Sequence, residues 1–421
     1  MKPKLTTFPS GLRLLVVSDP NAATATTLVL VGTGSNYESA SESGIAHFLE
    51  HLYFKGTTTL PTSRDIIEEF ERIGAISNAF TSNEYTGYYA KGSPSHVPTF
   101  IHVLADIYLS STFPETEIEK EKGVVIEEIN MYEDQPSRQA EEALVQLMYG
   151  DQPAGRPVIG TRENVRAFSR SALLKYERAH YHASNTVVVV SGAVDATEVR
   201  ALVKNAFSQI KTAKPKSKKK VVVEKKKLKS IVVHKKSDQA HLCVGFHSVP
   251  LGHRDAPTAT LLATVLGRGM SSRLFQTLRE ELGLAYYVGA SQDPFTDYGL
   301  FSISAGVDKS KVALVCSAIA QILHDLATTT ISASELAKAR EFTLGTARLG
   351  LESSDEIAGF YGIQLLLRGS YKTLAELSRE YHTVTADDIR RLARRIFIPA
   401  NTSVAVVGPF ETIDTSAFAS L

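Results

Sequence analysis

Asn185-Thr186-Val187-Val188-Val189-Val190-Ser191-Gly192 returns 216 residues later as Asn401-Thr402-Ser403-Val404-Ala405-Val406-Val407-Gly408. Each copy is an Asn-Thr pair, a run rich in β-branched residues and a closing glycine, which predicts a buried strand in both places. A second echo lies upstream. Leu28 to Val31 runs into Gly32 and Leu242 to Val244 into Gly245, a glycine offset of 213 that matches the first within loop variation. The chain therefore reads as a duplicated domain. Helix-period segments such as Arg64 to Ile73, Thr116 to Tyr132, Ser334 to Leu349 and Ala386 to Ile396 alternate with the β-branched runs. The expected fold class is α+β, built from two homologous α/β sandwich domains.

Length agrees, because 421 residues exceed one ordinary core. Hydrophobic residues at 43% and charged ones at 22% suit buried cores and exclude a disordered or collagen-like chain. With 46 basic against 45 acidic side chains, there is no global bias toward nucleic acid or anionic lipid. The exception is local. Residues 211–236 hold 12 Lys against the single acid Glu224, leaving 34 basic and 44 acidic residues elsewhere. Such a run predicts a solvated, self-repelling tether that leads into the first strand of the second half. It separates an N-terminal domain at 1–210 from a C-terminal one at 237–421. The tract has no aromatic side chain to stack on bases, so nucleic acid is not an expected partner.

Cys243 and Cys316 are too few for a disulfide framework or a four-cysteine zinc site and are expected in the core. The longest nearly apolar stretch, Val312 to Leu323, is broken by Ser317 and Gln321 and falls short of the ~20 residues of a membrane span, so no membrane association is expected. Lys2 and Lys4 are followed by Thr6, Thr7, Pro9 and Ser10 rather than by the apolar centre of a signal peptide, and a cytoplasmic location is expected.

The chemistry sits between two glycines, in Gly44-Ile45-Ala46-His47-Phe48-Leu49-Glu50-His51-Leu52-Tyr53-Phe54-Lys55-Gly56. On a helix, His47 and His51 share one face with Cβ atoms roughly 6 Å apart, the spacing of two ligands converging on one zinc ion. Glu50 sits beside the second His, where its carboxylate can reach a metal-bound water without ligating the metal. Taken alone, five residues can match by accident. A zinc site also needs a third protein ligand on a separate element. Glu117 to Ile129 reads as a helix on which Glu121 and Glu128, seven apart, share a face. Glu128 is the expected third ligand and Glu121 a carboxylate that supports it. Glu127 is the competing choice, disfavoured because it breaks the seven-residue step. An acidic helix read by itself is equally a solvated surface.

With these pieces the sequence resembles the pitrilysin-type (inverzincin, M16) zinc metallopeptidases, especially the small bacterial members similar to the mitochondrial processing peptidase. The matching segments run through both halves in order. They are Val31 to Ser35, His47 to His51 with Phe54 to Thr57, Asn78-Ala79-Phe80-Thr81, Glu121 to Asp134, Gly155-Arg156-Pro157 with Ile159-Gly160-Thr161, and Gly267 to Tyr287. Leu52 departs from the pattern, since a Met is common after the second His. The resemblance implies one zinc ion per chain on His47, His51 and Glu128, with Glu50 as the general base that activates the zinc-bound water and Glu121 in support. Asn78, Ala79, Phe80 and Thr81 match an edge strand that pairs with extended substrate. Arg279 and Tyr286 match a substrate-positioning pair. The second half offers only Leu261 to Leu266 where the first has its histidines. A zinc endopeptidase for short or unfolded peptides is implied. The family's four-domain clam-shell chamber would form from a homodimer, or from a heterodimer with a related subunit. The alternative within the same fold is a non-catalytic structural or peptide-binding subunit.

Overall fold

The computed structural model describes residues 3–224 and 227–421; Lys2 of the amino terminus and Lys225 and Lys226 of the lysine tract lie outside them. The chain forms two compact units, each interleaved in sequence: residues 1–129, 157–219 and 348–372 make the first, and 130–156, 220–347 and 373–421 the second.

The first unit carries β1 (Lys4–Thr7), β2 (Arg13–Ser18), β3 (Ala25–Val31), β4 (Ile76–Thr81), β5 (Thr86–Gly92) and β6 (Thr186–Gly192) in the order β1-β2-β6-β3-β5-β4. The second carries β7 (Lys229–His234), β8 (Gln239–Ser248), β9 (Ala285–Pro294), β10 (Gly299–Asp308) and β11 (Thr402–Gly408) in the order β7-β11-β8-β10-β9. Apart from β1 the two orders coincide. In both, the parallel pair is the same one, β2 with β6 and β7 with β11, and the remaining neighbours are antiparallel. The duplication read from the Asn-Thr strands is thus a repeated topology.

Its register differs from the glycine offset. Asn185 Nδ2 donates to the carbonyls of Gly32 and His180, and Asn401 Nδ2 to those of His247 and Ile396. Val31 pairs with Thr186 and Phe246 with Thr402. The residue equivalent to Gly32 is therefore His247, and Gly245 corresponds to Leu30.

The expected linear division into 1–210 and 237–421 is crossed twice, for a packing reason. Both sheets are apolar on both faces, and helices local to each half cover one face only. On the other face of the first sheet, Leu15, Leu28, Leu30, Val187 and Val189 meet Ile357, Ala358, Tyr361 and Leu365 of the helix Ser354–Arg368. On the second, Cys243, Leu300, Ala405 and Val407 meet Ala140, Leu144 and Met148 of the helix Pro136–Tyr149. Each sheet is closed by a helix drawn from the opposite half of the sequence. A Cβ on Gly362 would lie 2.8 Å from Leu30 and 2.7 Å from Val189, and one on Gly245 2.6 Å from Met148, so the small residue sits on the helix in one unit and on the strand in the other.

The lysine tract is less of a tether than its composition suggests. Lys211 pairs with Glu177 at 2.7 Å and Lys218 with the buried Glu84 at 2.8 Å, while the Val221 and Val222 amides donate to Asp297 and Gln152. Lys309–Thr328 makes a helix of 20 residues whose apolar window has mean hydropathy 1.3, longer than the stretch seen in the sequence and sufficient by length and composition to cross a bilayer. Its Val315, Ile319, Leu323 and Leu326 are fully buried in the core of the second unit. Core helices and spanning helices share this composition.

Gly345 and Gly359 stand inside the helices Ala333–Leu349 and Ser354–Arg368, and a Cβ at either would meet nothing within 4 Å. Glycine costs about 1 kcal/mol relative to alanine in a helix interior. Gly345→Ala and Gly359→Ala are each expected to stabilise by about 0.5–1 kcal/mol. A rise in urea midpoint at unchanged slope is the check.

Candidate metal centre

The histidine helix, Ile45–Leu52, buries Ile45, Ala46, Phe48, Leu49 and Leu52 and leaves His47, Glu50 and His51 on its half-exposed face. Its start is held tightly. The Gly44 and Ala46 amides donate to the two oxygens of the buried Glu38 at 2.8 and 2.9 Å, placing a carboxylate at the positive end of the helix. Gly44 has φ +96°, and a Cβ there would lie 2.6 Å from the Ile159 carbonyl, so only glycine lets the Ile159-Gly160 turn approach.

The acidic helix Glu115–Glu133 brings the other groups. Glu128 Oε2 lies 3.7 Å from His47 Nε2 and 3.5 Å from His51 Nε2, and one ligand atom from each of the three residues lies within 4.8 Å of the other two. In a tetrahedral zinc shell with bonds of ~2.0–2.1 Å, neighbouring donors stand about 3.3 Å apart. The two edges from Glu128 to the imidazoles therefore exceed a closed shell by a few tenths of an ångström. Two imidazoles and one carboxylate, leaving a fourth position open, are also the donor set of catalytic zinc, so the residues fit the ion. Glu127 is exposed, and the oxygen that approaches both imidazoles is that of Glu128.

Around this triad the charges interlock. His51 Nδ1 lies 2.8 Å from Glu121 Oε1, and Lys55 Nζ 2.7 Å from Glu121 Oε2. Burial disfavours the His51 imidazolium, but the hydrogen bonds of Glu121 and Glu128 and the charges of Glu121 and Glu50 outweigh it and raise its pKa to about 9. A cation held at Nε2 would take the place of that proton. Burial also opposes ionisation of Glu121, yet hydrogen bonds from His51 and Lys55 hold it below the usual carboxylate range. Glu50 behaves oppositely: burial pushes its pKa up, and the 2.6 Å hydrogen bond from Thr81 Oγ1 to its Oε2 only partly offsets this.

Residues 13–162 match the family model described as insulinase (peptidase family M16), and residues 167–342 that described as the peptidase M16 inactive domain. The uncharacterized zinc protease YmxG of Bacillus subtilis is 36% identical over 96% of this chain and 97% of its own length. The chain belongs to peptidase family M16. Another relative of this M16 chain, an uncharacterized zinc protease of Streptomyces coelicolor, is 32% identical over 96% of the chain and 89% of its own. Among solved structures, a protease from Helicobacter pylori superposes with TM-score 0.91 at 25% identity, covering 97% of this chain and 99% of that one. A peptidase M16 inactive domain from Pseudomonas fluorescens, at TM-score 0.89 and 16% identity over 98% of this chain and all of that one, shares the fold. Zinc and a protease activity are what the relatives' names support.

The second unit of this M16 chain repeats the histidine helix without its ligands. Ala256–Gly267 packs on β9 as Ile45–Leu52 packs on β4, and presents buried Leu261, Leu262, Ala263, Val265 and Leu266. Arg279, on the π-helical turn Phe275–Glu281, donates from Nη1 to the Tyr286 carbonyl at 2.8 Å. The Tyr286 ring, at the start of β9, is 73% exposed. In the first unit, Asn78 to Thr81 lie on β4, the terminal strand of its sheet. The Phe80 ring folds back over Gly87 of β5, so its side chain serves packing and only its backbone faces the open edge.

Two contacts were not visible in the sequence. Thr81 was expected only as strand backbone, yet its hydroxyl holds Glu50. Lys55 had no expected role, although His47, His51 and Lys55 recur at every fourth position and that spacing was the available signal.

Proposed function

We propose that the chain is a zinc-dependent endopeptidase that hydrolyses short or unfolded polypeptides at one zinc ion held by His47, His51 and Glu128. The observation that carries the reading is the convergence of those three donors beside a half-buried, restrained carboxylate, Glu50. When bound, zinc supplies Lewis acidity, lowering the pKa of water toward ~7 and polarising a carbonyl. Glu50 takes the proton of the attacking water as its oxygen bonds to the carbonyl carbon. It then returns the proton to the amine nitrogen as the C–N bond breaks. Thr81 engages Oε2, so Oε1 is the oxygen that carries the proton. An extended substrate adds to the free edge of β4 through backbone hydrogen bonds, which select a chain that can present a strand.

The test is metal content and cleavage on the full chain. About one zinc per chain is expected, with hydrolysis of unstructured peptides abolished by a chelator and restored by zinc. A zinc-replete protein inert toward a broad peptide panel would favour the non-catalytic subunit instead.

Thr81→Val removes the one hydrogen bond that lowers the Glu50 pKa. Glu50 works as a base only when ionised, so the acid limb of kcat/KM is expected to move to higher pH, whereas Thr81→Ser leaves it in place. A pH–rate profile of the three proteins reads this.

The proposal extends to a homodimer in which Arg279 and Tyr286 of one chain serve the zinc of the other. Arg279 binds a substrate carbonyl or carboxylate, and Tyr286 donates to the developing oxyanion. Mixing Glu50→Gln chains with Tyr286→Phe chains is expected to regain activity that neither has alone; no recovery in verified mixed dimers rules out sharing in trans.

A further inference from the structure

We infer that Lys55 is a positioning residue for the metal centre, acting on His51 through Glu121; this rests on the zinc reading above and extends it to a residue that reading leaves idle. Lys55 follows His51 by four positions, just past the end of the helix Ile45–Leu52, and its backbone amide donates to the Leu52 carbonyl at 3.1 Å. That turn carries the ligand face of the helix one step further. There Lys55 Nζ takes Oε2 of Glu121 at 2.7 Å while His51 Nδ1 takes Oε1 at 2.8 Å.

A buried carboxylate held at both oxygens by charge-assisted bonds cannot rotate without breaking one of them. Because Lys55 occupies Oε2, Oε1 stays directed at His51. Because Oε1 accepts, the hydrogen of a metal-ligating imidazole belongs on Nδ1, and Nε2 turns its lone pair toward the space it shares with Glu128 Oε2, 3.5 Å away. Lys55 thus sets the direction of a ligand without touching the metal.

Simple charge repulsion predicts the opposite sign. An ammonium near a cation site disfavours the cation, so its removal alone would tighten zinc binding. A positioning role predicts weaker binding, and the sign separates the two.

The experiment is competition for zinc against a chromophoric chelator, using the full chain at constant pH. The proteins are wild type, Lys55→Met, Lys55→Gln, Lys55→Arg, Glu121→Gln and the Lys55→Met/Glu121→Gln double variant. Lys55→Met is expected to weaken zinc binding by about 10–100-fold, as for other groups that orient a ligand. Lys55→Gln does the same and stands in should Lys55→Met fold poorly. Lys55→Arg, which keeps the charge and donors, retains most of the affinity. The double variant binds no more weakly than Glu121→Gln alone, because the lysine acts only through that carboxylate. Unchanged or tighter binding in Lys55→Met and Lys55→Gln, or additive losses in the double variant, overturn the inference while wild-type binding stands. A wild-type chain that takes up no zinc sinks the zinc reading itself.

Discussion

Glu50→Gln is expected to lower peptide hydrolysis by about 10²–10⁴-fold while the protein keeps its zinc. The substitution is isosteric, and an amide oxygen still accepts the hydrogen bond that Thr81 gives to Oε2. What the amide cannot do is take a proton from water at neutral pH. Glu50 is not among the three donors that converge, so metal affinity has no reason to fall with activity. The loss corresponds to about 3–5 kcal/mol of transition-state stabilisation, and it belongs in kcat rather than in KM, because β4 and its edge are untouched. Steady-state kinetics beside zinc content on the same preparation separates the cases. Activity within tenfold of wild type would mean that another group carries the proton.

How much of this site could be read beforehand depends on which geometry each residue obeys. His47, Glu50 and His51 were legible because a helix fixes the face of every residue on it, and the apolar residues between them left no other face to bury. Glu121 and Glu128 were legible for the same reason, as a seven-residue step returns to within about 20° of its start. The Thr81 hydroxyl was not. Its direction depends on how β4 sits against the histidine helix, a relation between elements that no local period encodes. Lys55 lies beyond the last helical residue, where the period stops being a guide although the chain happens to keep it.

The register error at Gly245 has an equally plain cause. Residues two apart on a strand face the same side, so sliding one copy past the other by two leaves the alternation of apolar and polar positions intact. The asparagine side chains, reaching to Gly32 in one unit and His247 in the other, and the pairing of Val31 with Thr186 and Phe246 with Thr402 fix the true alignment. The exchanged helices were hidden by a related ambiguity. Periodicity states that Pro136–Tyr149 and Ser354–Arg368 each have an apolar stripe, but not which sheet the stripe covers. The duplicated topology offers two equivalent sheets, and the chain closes each with the helix from the other half.

Glu128→Gln is expected to weaken zinc binding by far more than the ~100-fold ceiling typical of supporting residues, and Glu127→Gln to leave it near wild type. The two carboxylates are neighbours in sequence, but one residue turns the helix by ~100°. That rotation places Oε2 of Glu128 at 3.7 and 3.5 Å from the imidazoles and leaves Glu127 exposed. Replacing a carboxylate by an amide keeps shape and hydrogen bonding and removes the negative charge, so the effect isolates the anionic donor that zinc requires beside two neutral imidazoles. Zinc competition on the two variants, with unchanged urea midpoints as the control for folding, decides the assignment. Loss at Glu127 with retention at Glu128 would require the acidic helix to present a different face to His47 and His51, and would also detach Glu121, seven residues before Glu128, from its hydrogen bond to His51.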